Sequence, residues 1–363
     1  MRKLRYVILG VVALLVLYLL LWPVPIEPVG WTPPDNPGLT GEYEANNLLA
    51  GAELYPLAGG HGPEDTAVGP DGLVYTGLAD GSIVRFSPGT GGEPETIVGT
   101  GGRPLGLAFH NDRLYIADAF VGLLYIDGAT AASGHRVEVA ADEVDGAKML
   151  FVDDVAVASN GTVWFTDASM RFDQHNYVTD ITESWPSGRL LSWDAVSGQT
   201  TVHVEELAFA NGVALGPGEA YVLVNESMRY RIRPYWLTGE KAGQTDVFID
   251  NLPGFPDNLS YNGEDLFWVA LVYPRDRTID SLMPRPFLRK MIMRLPAALR
   301  VSEPDPLALV IALDHDGNVV HNLQDHTGHH HTVTSVNEAD GYLWLGSLIQ
   351  PHVAGIAVPE TGP

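Results

Sequence analysis

The stretch Phe151-Val152-Asp153-Asp154-Val155-Ala156-Val157-Ala158-Ser159-Asn160-Gly161-Thr162-Val163-Trp164-Phe165-Thr166-Asp167 decides the fold. An apolar strand runs into the Asn160-Gly161 turn, whose residue types supply the backbone angles of a tight hairpin. A second strand then returns through the bulky Trp164 into small and hydroxyl residues.

The same grammar recurs six times along the chain. Its bulky positions are Tyr75, Tyr115, Trp164, Val222, Phe267 and Trp344, preceded in turn by Asp71-Gly72, Asn111-Asp112, Asn160-Gly161, Pro217-Gly218, Gly263-Glu264 and Asp340-Gly341. The bulky positions lie 40, 49, 58, 45 and 77 residues apart. Four strands of a propeller blade consume roughly 40–50 residues, so the pattern predicts an all-β, six-bladed β-propeller. A β-sandwich would not repeat one hairpin over so long a span. With 39 Gly, 26 Pro and only 18% charged residues the chain favours turns over long helices, and 363 residues at 45% hydrophobic can bury one large core.

Two segments stand outside the repeat. At the N-terminus, Arg2, Lys3 and Arg5 precede an uncharged apolar run over 6–22, long enough as a helix to cross most of a ~30 Å hydrocarbon layer. The flank Leu20-Leu21-Trp22-Pro23 lacks the small-residue pair a signal peptidase needs, so the run reads as an uncleaved anchor rather than a signal peptide. The basic tip stays cytoplasmic, which places the rest outside the cytoplasm, in a periplasmic, extracellular or lumenal space. The expected division is a cytoplasmic tip and transmembrane anchor over 1–27, a proline-rich extended spacer over 28–45, and the propeller over 46–363. The 77-residue gap holds the second segment, 281–300, where Arg285, Arg289, Lys290, Arg294 and Arg300 interleave with Phe287, Leu288, Met291, Ile292, Met293 and Leu295. It predicts a short basic amphipathic helix: a solvated decoration, a lid over the propeller face, or a contact with anionic headgroups.

Against 45 acidic residues stand 21 basic ones, a net charge of −24 that argues against nucleic acid as a partner and suits a cation. Without cysteine the fold has no disulfides. Acidic or amide residues sit just before the first strand of four units, at Glu64-Asp65, Asp153-Asp154, Asn211-Gly212 and Asp257-Asn258. First strands line the tunnel of a propeller, so these groups converge on its axis. Taken singly each could cap a turn. Together they would repel one another unless a hard cation joined them, and oxygen donors without Cys or His point to calcium rather than zinc.

The stretches Gly62-Pro63-Glu64, Arg103-Pro104-Leu105-Gly106-Leu107, Phe151-Val152-Asp153-Asp154, Phe209-Ala210-Asn211-Gly212-Val213 and Pro253-Gly254-Phe255-Pro256-Asp257-Asn258 resemble the strictosidine synthase-like branch of six-bladed propellers. The wider group holds the senescence marker protein/gluconolactonase family, the paraoxonases and diisopropyl fluorophosphatase. The resemblance implies that Glu64, Asp153, Asn211, Asp257 and Asn258 are calcium ligands and that Asp257 is the base or nucleophile of hydrolytic members. Most members of the resembling group carry asparagine where Asp153 stands, so this site gains a negative charge that should tighten the ion and weaken its Lewis acidity. Asp65 and Asp154 resemble holders of a second, buried calcium in paraoxonases, though aspartates bonded to backbone amides would look the same. Leu105 and Ala119 stand where the paraoxonase histidine pair would be, and Glu338 matches the glutamate of strictosidine synthase.

The His329-His330-His331 run reads as a solvated loop or adventitious metal binder, and His175 as a rim residue. The expected function is a calcium-dependent hydrolase acting on a small-molecule lactone or carboxylic ester at the outer side of a membrane. A calcium-stabilised scaffold that binds a partner or lipid is the alternative, and strictosidine synthase-type condensation the third.

Overall fold

All six bulky positions lie on the second strand of a sheet, paired with the first strand across the turn that precedes them. The computed structural model describes residues 2–89, 93–296, 299–300 and 305–359. Positions 297–298 of the basic insertion and the last four positions of the propeller range lie outside the described residues, as does Met1.

Six antiparallel sheets form the blades. Their first strands, Thr66–Val68, Pro104–His110, Val152–Val157, Ala210–Leu215, Gly254–Tyr261 and Val336–Ala339, touch one another in chain order, and the last touches the first. That closed ring is the wall of the axial tunnel. The fourth blade has three strands, with bridges from Ile249 and Thr245 where an outer strand would lie. In the sixth, the outer strand is Glu53–Pro56 from the start of the propeller, paired with His352–Ala357 from its end. This pairing closes the ring without a covalent link.

Blades are stacked face to face, so their middle strands are buried on both sides and read as continuous apolar runs such as Ala308–Leu313. The core is accordingly divided into six clusters: five fill one gap each between neighbours, and the largest fills the gap between the fourth and fifth blades and extends to residues of the second and third blades and of the helices. Tyr75, Tyr115, Trp164, Phe267 and Trp344 serve five different gaps. Four first strands carry one extra residue, a bulge that falls at 105–106, 153–154, 211–212 and 257–258. A bulge turns two successive side chains away from strict alternation, which lets one face the axis and the next face the neighbouring blade.

Gly212 is needed for this approach: a Cβ there would lie 2.6 Å from the Asp257 carbonyl oxygen and 2.7 Å from the Asn258 Cα. Gly212→Ala must push two inner strands apart, and overpacking of this kind costs about 1–3 kcal/mol. The expected result in calorimetry is a melting temperature several degrees lower. An unchanged transition would show that the strands have room to spare.

Helix α1, Arg2–Leu21, has no buried residue and is long and apolar enough to cross a membrane. The stretch after it is extended but is not a free tether. Trp31 packs in the largest core cluster, Arg275 Nη2 donates to the Pro34 carbonyl at 2.7 Å, and Asn251 Nδ2 donates to that of Asp35 at 3.0 Å. Helix α2 is Tyr177–Glu183. The basic insertion differs from the single helix expected: it begins earlier and forms two short helices, α3 at Arg277–Leu282 and α4 at Pro286–Ile292.

Pro284, Arg285 and Pro286 break the run, because proline removes a donor and restricts the residue before it. Arg289 turns inward, 1% exposed, and donates to the carbonyls of Thr182 at 3.1 Å, Glu183 at 2.9 Å, Met283 at 3.0 Å and Val29. Burial first, then the neighbouring Arg229, pushes its pKa down to about 10. A cation beside the last carbonyls of α2 and α3 complements their helix dipoles and binds both helices to the segment after α1.

Asp180 on α2 is buried and accepts from Ser169 Oγ at 2.9 Å. Burial lifts its pKa from 3.8 to about 7, the Ser169 hydrogen bond opposing. The folded state therefore holds a proton the unfolded chain releases, and the stability this contributes is complete below about 3.8 and lost as pH rises through about 7. Amide protection across Tyr177–Glu183 is expected to fall between pH 6 and pH 8 after correction for intrinsic exchange. A protection factor flat over that range would refute the coupling.

Candidate metal centre

Bulged inner strands deliver Asp153 from the third blade, Asn211 from the fourth, and Asp257 with Asn258 from the fifth, while Glu64 comes from the loop that leads into the inner strand of the first blade. Glu64, Asp153 and Asp257 bring one carboxylate oxygen each to within 4.8 Å of the others, and all three side chains are buried. Asn258 Nδ2 donates to both Glu64 oxygens, at 3.2 and 3.1 Å. The Oδ1 atoms of Asn211 and Asn258 are buried without a hydrogen-bond partner. Buried carbonyl oxygens are seldom left unpaired, so two of them beside three carboxylates describe a cation cradle.

The electrostatics agree. Burial, then the Asp257, Asp153 and Asp65 carboxylates, holds Glu64 well above the usual carboxylate range, with Arg103 opposing. Burial and then Asp257 and Asp154 do the same to Asp153. Asp257 is pushed up to about 7 by burial, against a hydrogen bond from the Asn211 side chain. Three carboxylates this close cannot all ionise in a dry setting unless a cation compensates them. The donors are all oxygen, which suits a hard ion of loose geometry such as calcium; His and Cys, the usual zinc donors, are absent from the set.

Main-chain anchors keep the cradle in place. The backbone carbonyls of Glu64, Asn211 and Asp257 accept from Thr334 Oγ1 at 2.6 Å, Thr166 Oγ1 at 2.6 Å and Asn225 Nδ2, respectively. Asp65 accepts from the amide of Leu107 at 2.8 Å and Asp154 from that of Val213 at 2.7 Å. Each thus staples its own blade to the next, which accounts for this pair without a second ion. Thr166, Asn225 and Thr334 lie on second strands or loops and carry no signal in the sequence. Nor does Arg103, whose Nη1 donates to the Gly62 carbonyl at 2.8 Å; in space it is the cation that acts on Glu64.

Above the cradle, Leu105, Phe151, Phe209 and Phe255 join Ala119 in one apolar cluster with Met283 and the half-buried Trp31, Tyr177, Ile181 and Ile279. Phe209 holds a left-handed backbone angle, φ 63°, rare for a bulky residue, and its ring meets Phe151 at 5.4 Å and 80°. The rim of the tunnel is therefore roofed by α2, the insertion and the stretch after α1. A surface cleft of 530 Å³ lined by Asp265, Asp314, His315, Asp316 and His321 shares no residue with this centre.

Other sequence candidates are placed elsewhere. Glu338 Oε2 accepts from Trp268 Nε1 at 2.6 Å and Asn262 Nδ2 at 3.2 Å. His175 is exposed and stacks on Phe120 at 4.3 Å. The histidine run is not wholly solvated: His330 is buried, its Nε2 3.3 Å from the Gly346 carbonyl, and burial pushes its pKa down to about 3.

Family models described as strictosidine synthase and as strictosidine synthase-like, N-terminal, match residues 153–240 and 41–86. The chain is 36% identical over 313 residues to strictosidine synthase-like protein 6 of Arabidopsis thaliana, covering 84% of this chain and 81% of that one. It is 33% identical over 358 residues to the adipocyte plasma membrane-associated protein of Gallus gallus, covering 91% and 83%. Among solved structures, a gluconolactonase of Xanthomonas campestris superposes with a TM-score of 0.60 at 15% identity, covering 93% of this chain and 99% of that one. At that identity the likeness is one of fold.

Proposed function

The chain belongs to the strictosidine synthase-like family, and from that premise we propose that it is a calcium-dependent hydrolase of lactones or carboxylic esters, held by α1 at the outer side of a membrane. The observation that carries the reading is the pair of orphaned carboxamide oxygens facing three buried carboxylates beneath an apolar roof.

Glu64, Asp153, Asn211, Asp257 and Asn258 would hold the ion, which when bound supplies Lewis-acid polarisation of a substrate carbonyl. The remaining work falls to the chain. Phe151, Phe209 and Phe255 receive an apolar acyl or ring portion and keep water from it. Asp257, fixed through Asn211 and Asn225, takes a proton from an attacking water or itself attacks the carbonyl carbon. Along the water route, the new C–O bond forms as the ester C–O bond breaks, and the proton passes to the leaving alkoxide to give a hydroxy acid or an acid and alcohol. Along the covalent route, an Asp257 oxygen bonds to the carbonyl carbon as the ester C–O bond breaks, the leaving alkoxide takes a proton from water, and the hydroxide so formed cleaves the anhydride to release the acid and restore the carboxylate.

All the carboxylates are buried, so the roof must lift for substrate to enter. The lactone class comes from the gluconolactonase that shares the fold. The chicken relative's name places it at a plasma membrane, in keeping with an anchored α1 whose Arg2, Lys3 and Arg5 stay cytoplasmic. The test is hydrolysis of a panel of lactones and aryl esters by the full chain in detergent, with calcium and with chelator. The closed roof favours a second reading, a calcium-stabilised scaffold that binds a partner or lipid. Absence of turnover across the panel, with the fold still stabilised by calcium, would support it. Condensation of an amine with an aldehyde is the third reading and also fits the family; in it Glu338, whose Oε2 accepts from Trp268 and Asn262, would be the acidic group.

A further inference from the structure

Of the cations in the insertion, Arg289 and Arg294 are buried against carbonyl oxygens, whereas Arg277, Arg285 and Arg300 are exposed. Beside them Phe287, Leu288 and Leu299 are 54%, 37% and 68% exposed. A basic and apolar surface is anomalous on a chain of net charge −24. Its place in the fold is set by Arg294. Arg294 Nε donates to the Trp22 carbonyl at 2.6 Å, its Nη1 to that of Leu19 at 3.0 Å, and its own carbonyl accepts from Tyr18 at 3.0 Å. These carbonyls are the last of α1 and its exit, where a cation complements the helix dipole. The anchor is thus clamped to the insertion within two residues of the end of α4, with no slack between them. Trp22, 60% exposed at that junction, is a residue type that settles at the membrane–water boundary.

We propose that residues 277–296 with 299–300 form a membrane-seated roof: Phe287, Leu288 and Leu299 enter the interfacial layer of the bilayer that α1 spans, and Arg277, Arg285 and Arg300 pair with anionic headgroups. The occupant is lipid because the surface is continuous with α1 and opposite in charge to phosphate headgroups. The roof over the axial centre then rests on the membrane. The inference rests on α1 lying in a bilayer and is independent of whether the centre hydrolyses anything.

A chain without cysteine allows single-site labelling. Phe287→Cys and, as control, Val196→Cys, whose native side chain is 98% exposed in the third blade, are each labelled with an environment-sensitive fluorophore. The full chain is placed in vesicles of phosphatidylcholine alone or with roughly 30% phosphatidylglycerol. The expected result is a blue-shifted label at 287, quenched by brominated acyl chains several-fold more than at 196, with quenching stronger in the anionic vesicles. Equal quenching at both positions overturns the proposal. So does a label at 287 shielded from water yet unquenched by brominated lipid, which would put protein on this surface. In Arg277→Glu/Arg285→Glu, quenching at 287 should fall in anionic vesicles with the melting temperature unchanged; undiminished quenching would overturn the headgroup pairing.

Discussion

Asp257→Asn is expected to abolish the proposed calcium-dependent hydrolysis, with kcat/KM lowered at least ~10³-fold, or about 4 kcal/mol of transition-state stabilisation, while the protein should still melt at a higher temperature with calcium than without. The carboxamide keeps one oxygen facing the cradle but can neither take a proton from water nor attack a carbonyl carbon. Its backbone carbonyl still accepts from Asn225, so the strand stays in place. Asp65→Asn is the informative contrast. Asp65 faces the next blade and binds the amides of Thr66 and Leu107 rather than the axis. Its loss should lower stability and leave the activity of the folded fraction intact. Turnover retained in Asp257→Asn would reject the assignment of the reacting group. Turnover lost together with calcium stabilisation would show that this carboxylate holds the ion and would leave its chemistry open. Label found in the Asp257 side chain after a single turnover in ¹⁸O-water would establish the covalent route, since the water route leaves both of its oxygens unexchanged.

Local chemistry made the hairpins and the axial donors legible in the sequence. Asn160-Gly161 and its counterparts force a turn wherever they stand, and a bulky residue on each second strand must fill the gap between blades. Glu64, Asp153, Asn211 and Asp257 could be placed on one axis because a propeller puts equivalent positions there. What stayed hidden depends on long-range partners. Glu53–Pro56 is an ordinary short strand until it meets His352–Ala357, nearly the whole chain away. The basic insertion reads as a solvated amphipathic surface, yet Arg289 and Arg294 find carbonyls at the ends of α1, α2 and α3, which no helical periodicity within the insertion encodes. Asp65 and Asp154 are indistinguishable by type from Glu64 and Asp153. Only the local backbone path, a bulge at 153–154 and the loop before the first inner strand at 64–65, separates the residue that staples two blades from the one proposed to hold the ion.

Chelation of calcium is expected to lower the melting temperature on the order of 10 °C when the ion is first present at ~1,000 times its Kd, since binding to the folded state alone contributes about 4 kcal/mol there. The drop should depend on pH, and its sign follows from the carboxylates. In the ion-free protein Glu64 and Asp153 are held well above their ordinary values and Asp257 near 7. The folded state then binds protons that the unfolded chain releases. The stability these protons contribute is complete below about pH 4 and lost as pH rises through about 7. With the ion bound, the same carboxylates are held ionised and protons compete with it, so the loaded form loses its advantage as pH falls. The gap between loaded and chelated melting curves should widen from pH 5.5 to pH 8. Asp153→Asn separates the two contributions within one residue. It should raise the melting temperature of the chelated protein near neutral pH by removing a carboxyl that must take up a proton to stay buried, and weaken calcium binding roughly tenfold by removing an anionic donor. A gap that stays constant with pH, or an Asp153→Asn protein less stable than wild type in chelator, would mean that the three carboxylates are compensated by hydrogen bonds and Arg103 rather than by a cation.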